Sequence, residues 1–113
     1  MNVIKDMKIP AGLSKRGKEA AEIILDRAAK RDHFSTGGCR AFYTPKEWAD
    51  RGEPYGEGAV LIVVHDGGDL GPMFELDHFC YDQVEQMMDA LGSKGFHPEG
   101  MFCWCTAIFD DED

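Results

Sequence analysis

Five apolar residues in a row, Val60-Leu61-Ile62-Val63-Val64, run straight into the polar stretch His65-Asp66-Gly67-Gly68-Asp69. The run does not alternate between apolar and polar positions, and its residues are β-branched or aliphatic throughout. Such a segment suits a strand covered on both faces, so a sheet with an internal strand over 60–64 is predicted. His65 and Asp66 then surface at the C-terminal end of that strand, where Gly67-Gly68 permit a turn that other residues resist. Any binding site is expected near this corner.

The other elements can be placed around this strand. Residues 3–9 suit a short edge strand or an ordered arm, interrupted by Pro10. Ser14 has the side chain of a helix N-cap, and the helix after it reaches about residue 31. Ala20, Ala21, Ile24, Leu25 and Ala28 give that helix an apolar stripe, and Gly17 with the alanines makes the face thin enough for close approach to a sheet. A strand is expected over 39–43. Thr44-Pro45 then start a short helix over 45–50, with Thr44 as cap and Pro45 where its missing amide costs nothing. Residues 73–76 read as a strand pairing back on the central one. Asp82 is expected to open the second main helix, with Glu85 in capping-box spacing. Val84, Met87, Met88 and Leu91 form its apolar stripe, and Gly92 or Gly95 ends it. A last internal strand is expected over 101–109. The predicted fold class is α+β: a two-layer domain with a mainly antiparallel sheet of four or five strands, two main helices on one face and a short helix at about 45–50. It spans 1–109 and is followed by an acidic tail, 110–113.

Composition narrows the functional classes. With 113 residues, 43% of them hydrophobic, the chain supports one modest core. No apolar run approaches the ~20 residues of a membrane helix. The first eight residues carry no apolar signal region, so a cytoplasmic location is expected. Twelve basic against 21 acidic residues give a net charge of −9, which repels nucleic acid and anionic lipid. Cys39, Cys80, Cys103 and Cys105 read as reduced thiols; 103 and 105 would share a strand face.

Four constellations are candidates for chemistry. The first joins two glycine corners, Gly37-Gly38 and Gly67-Gly68, with Arg40 and His65. Their backbone amides and the guanidinium suit a phosphate or carboxylate, and Asp66 and Asp69 flank the second corner. Tyr43 and Trp48 would stack on a base, and Tyr55 offers a third flat ring. Both corners fit plain tight turns equally well, and neither matches a nucleotide-binding glycine motif. The second is a divalent ion held by His65, Asp66, Asp69, Asp77 and His78, or zinc held by the four cysteines, although no Cys-x-x-Cys spacing supports it. The third is a cysteine–histidine nucleophile, which no local signature marks. The fourth is an acidic band, Asp66, Asp69, Glu75, Asp77, Asp82 and Glu85, able to occupy a basic protein groove or simply to stay solvated.

The segments Thr36-Gly37-Gly38-Cys39-Arg40-Ala41-Phe42-Tyr43-Thr44-Pro45-Lys46-Glu47-Trp48 and Leu61-Ile62-Val63-Val64-His65-Asp66-Gly67-Gly68-Asp69-Leu70 resemble small accessory proteins of tailed bacteriophages. That family carries no catalytic residues to transfer. The resemblance implies a context, action on host machinery by binding a protein or a small signalling nucleotide. The leading expectation is a binding protein that sequesters a small anionic ligand, such as a nucleotide signal of host defence, without turnover and without a cofactor. Its site would comprise Gly37, Gly38, Arg40, Tyr43, Trp48, His65, Asp66, Gly67, Gly68 and Asp69. The alternatives are an acidic inhibitor of a host protein and a small metal-dependent hydrolase. Homodimerisation is compatible with each of them.

Overall fold

Ser14 starts α1 (Lys15–Ala29) as the spacing predicts: its side-chain oxygen accepts from the Gly17 amide at 3.1 Å. The computed structural model describes residues 8–30, 40–52, 58–65, 71–74, 81–102 and 105–111. Along α1, Gly17, Ala20, Ala21, Ile24 and Ala28 are buried, one stripe at helical spacing. A Cβ on Gly17 would lie 2.4 Å from the Val60 carbonyl oxygen, so helix and strand meet here backbone to backbone. The thin face read from the sequence is therefore a close approach in fact. Arg16 ties the same end of α1 to the far hairpin. Its guanidinium donates to both Asp110 carboxylate oxygens at 3.1 Å and to the Lys94 carbonyl at 2.7 Å, and lies 4.0 Å from the Phe96 ring centre.

Four strands form one antiparallel sheet in the order β1-β2-β4-β3: β1 (Phe42–Tyr43), β2 (Leu61–Val64), β3 (Phe96–Phe102) and β4 (Cys105–Asp110). β2 is internal, as its unbroken apolar run requires. Register with β4 pairs Leu61 with Ile108, Ile62 with Ala107, Val63 with Thr106 and Val64 with Cys105. Alternation then sorts the side chains. Leu61, Val63, Phe96 and Ile108 pack with Ala20, Ala21, Ile24 and Ala28 of α1 and with Met87 and Leu91 of α4 (Tyr81–Gly92). Ile62, Cys105 and Ala107 pack on the opposite face against Trp48 of α2 (Pro45–Asp50). The α+β class, the antiparallel sheet and the pair of long helices on one face match the expectation. No helix among the described residues is long and apolar enough to cross a membrane.

Three expectations are corrected. Met73 and Phe74 belong to a short helix, α3 (Gly71–Phe74), not to a strand. Pro72 stands in its first turn, where proline's fixed φ suits a helix start. The single strand expected over 101–109 is two, β3 and β4, paired as a hairpin from Phe96 opposite Asp110 to Phe102 opposite Cys105. The β3 half was hidden by Pro98 and Gly100, which an edge strand tolerates because its outer side needs no ladder donor. The register shifts between Gly100 and Phe102. Asp110 is the last residue of β4 rather than the start of a tail, and the Asp111 amide donates to the Gly95 carbonyl at 2.7 Å. Smaller shifts concern helix and strand starts. Asp82 lies inside the first turn of α4, which begins at Tyr81. Arg40 and Ala41 precede β1, and residues 8–10 form no strand.

Candidate functional site

Of the residues expected to bind a ligand, Gly37, Gly38, Asp66, Gly67, Gly68 and Asp69 lie outside the described residues, as do Cys39, Cys80, Cys103, Asp77 and His78. Arg40, Tyr43, Trp48 and His65 are described, and each has structural work. Arg40 Nε donates to the Phe42 carbonyl at 2.9 Å, and its Nη2 meets Glu47 Oε1 at 2.7 Å. Glu47 in turn closes the capping box of α2: Thr44 Oγ1 accepts from the Glu47 amide, and Glu47 Oε1 from the Thr44 amide, both at 3.0 Å. Arg40 also covers the Tyr43 ring, its guanidinium carbon 4.2 Å from the ring centre. Arg51 lies 4.8 Å from the Trp48 ring centre. Trp48 itself is fully buried, so it presents no face on which a base could stack.

His65 also points inward. It is 3% exposed, shares a hydrogen bond of 2.8 Å between Nε2 and Thr106 Oγ1, and stacks on Phe74 with ring centres 5.1 Å apart. Arg40 and His65 therefore occupy different environments, one at the start of the edge strand β1 and one inside the helix-covered layer. Cys105 is buried on the α2 side of the sheet. Among the described residues no three His, Cys, Asp or Glu side chains are grouped to hold a metal ion. Of the acidic band, Asp82 and Glu85 are described, and both are exposed.

The capping box has a titration signature. The hydrogen bond from Arg40, followed by that from the Thr44 amide, lowers the Glu47 pKa below its ordinary 4.5. A carboxylate with a depressed folded pKa stabilises the fold above its unfolded value and loses that contribution as pH falls through the folded one. Glu47→Gln should therefore flatten part of the stability-versus-pH slope as pH falls through and below the ordinary 4.5. Urea titrations at several pH values check this; an unchanged slope would separate Glu47 from the cap.

A concavity among the described residues lies elsewhere. A cavity of about 190 Å³ is lined by Arg27 and Lys30 from the end of α1, Met73 from α3, and Gln83, Gln86 and Met87 from the first two turns of α4. Met73 and Met87 are 3% and 1% exposed, so they form an apolar floor, while Lys30 lies at the exposed rim. Arg27 Nη2 donates to Gln86 Oε1, which fixes the guanidinium plane and leaves other N–H groups of the fork for a guest. Lys30 pairs with Asp26 at 3.2 Å, but both side chains are more than half exposed. Such a pair is worth at most about 1 kcal/mol, so the ammonium can swing to another anion. Gln83 Oε1 is buried and accepts no hydrogen bond among the described residues. An unsatisfied buried acceptor costs about 1–3 kcal/mol, so this wall is not optimised for packing alone.

None of these six residues was singled out for a site from the sequence. Met87 read as part of a core stripe, and that description still holds. The signal that was present is the border of two apolar stripes, where Arg27 flanks that of α1 and Gln83 and Gln86 flank that of α4. It becomes a cavity only when α1 and α4 are set side by side on the sheet. The chain matches no family model, no curated protein and no solved structure.

Proposed function

We propose that this protein binds a small anionic ligand, without turning it over, in the cavity between α1 and α4. The observation that carries the reading is the convergence of two cations, Arg27 and Lys30, and two carboxamides on one hollow in a chain of net charge −9. Both cations also sit where a helix C-terminus favours positive charge, which is reason enough for one of them. A cavity beside them is what distinguishes this end of α1 from an ordinary helix end. Binding without turnover is in keeping with the lining among the described residues, two cations, two carboxamides and two thioethers. The resemblance to small phage proteins gives such binding a setting, the sequestration of a small anion in an infected cell.

Titration of inorganic phosphate, followed through the methyl resonances of Met73 and Met87, tests the reading. Saturable shifts are expected in the wild type. Arg27→Ala should weaken them tenfold or more, because a charge-assisted, two-pronged contact is worth about 1.5–3 kcal/mol. Equal affinity in the variant would remove Arg27 from the site.

A further inference from the structure

We infer that the ligand is a compact anion with a single acidic head and an apolar body: one carboxylate or phosphate head on a short chain or single ring. This rests on the proposed anion site and specifies what that site accepts. Three features of the cavity lead to it.

The first is volume. An apolar cavity of about 150 Å³ accepts a benzene-sized guest, so about 190 Å³ takes such a body plus one small head. Cavities that enclose drug-sized ligands run from about 300 Å³ upward. A nucleotide, with base, sugar and phosphate, exceeds this volume and would project from its open side, and a linked or cyclic dinucleotide more so.

The second is the sorting of polarity. The cations lie at the α1 side, with Lys30 exposed at the rim, whereas Met73 and Met87 are almost wholly buried. A guest oriented by this gradient places its charge outward and its hydrocarbon on the two thioethers. Methionine side chains adapt to irregular shapes, so the floor discriminates by length and bulk more than by outline.

The third is charge. Two cations match the charge of one acidic head, about one for a carboxylate and nearly two for a phosphate monoester at neutral pH, but charge beyond that meets the repulsion of a chain of −9. Polyphosphates and oligonucleotides are thereby disfavoured twice, by size and by charge.

The test compares bare heads with the same heads bearing a body. Acetate, hexanoate, inorganic phosphate, butyl phosphate and adenosine monophosphate are titrated into the wild type and into Arg27→Gln, with the Met73 and Met87 methyl shifts as readout. Each buried methylene is worth about a three- to fourfold gain in affinity, so hexanoate and butyl phosphate should each exceed their bare heads by tenfold or more. Adenosine monophosphate should gain nothing over inorganic phosphate, and Arg27→Gln should weaken both long ligands. Equal affinities for bare and extended heads, or tighter binding of adenosine monophosphate than of butyl phosphate, would overturn the inference and leave the anion site standing. If neither inorganic phosphate nor any other anion moves these methyl resonances, the anion site itself is wrong, and the inference falls with it.

Discussion

Gly17→Ala is expected to destabilise the protein by about 2–3 kcal/mol, the cost of forcing an extra methyl group into a packed contact. The usual effect of this substitution inside a helix has the opposite sign, because alanine is favoured over glycine by about 1 kcal/mol. Here the new Cβ would stand 2.4 Å from the Val60 carbonyl oxygen, with Leu13 Cδ2 at 3.2 Å. The close neighbour is backbone, so no rotamer change relieves it, and α1 must lift away from the start of β2. That movement would also loosen Ala20, Ala21 and Ile24 against the sheet. Gly92→Ala, at the last position of α4, is the natural control: nothing lies within 4 Å of its added Cβ, and a gain of about 0.4–1 kcal/mol is expected. Urea unfolding of the two variants beside the wild type measures both. Two gains of equal size would mean that α1 does not approach Val60 as closely as described.

This contact also shows which parts of the fold were legible in the residues. Gly17 and the alanines are a local pattern with one physical reading, a thin helix face, and the same holds for the Ser14 and Thr44-Pro45 helix starts and the unbroken run at 60–64. Each is decided by neighbours in sequence. Met73-Phe74 reads as strand but is helix, and 96–100 reads as no element but is strand, because their local letters point both ways. Met and Phe suit a strand or a helix, and Pro98 with Gly100 argues against a strand except at an edge, a place only the whole sheet assigns. The cavity was less legible still. Arg27 and Gln86 are 59 positions apart, and nothing near either announces the other. The site read from the sequence relied instead on residue types that favour ligands, arginine and aromatic rings. Arg40 and Trp48 satisfied folding demands with the same chemistry, one by holding the α2 capping box and one by filling the second face of the sheet.

Trp48 allows those two uses of an aromatic ring to be separated. It packs with Ala59, Ile62, Cys105 and Ala107, with no exposed surface, and the Tyr43 ring meets it edge-on with centres 5.5 Å apart. Removing such a side chain costs both its transfer free energy and the void it leaves, so Trp48→Ala should lose about 3–5 kcal/mol. A small domain has about 5–15 kcal/mol in all, and the variant would be near the edge of folding. Trp48→Phe keeps most of the volume and should cost less than half as much, leaving a folded protein for comparison. Its affinity for inorganic phosphate should equal that of the wild type, because Trp48 packs against the face of the sheet opposite to the one α1 and α4 cover. A ring that stacked on a bound base would behave in the reverse way, with little loss of stability and a large loss of binding. Denaturation and titration of the same two variants therefore decide whether the α2 side of this protein is core or site, and the packing around Trp48 commits it to core.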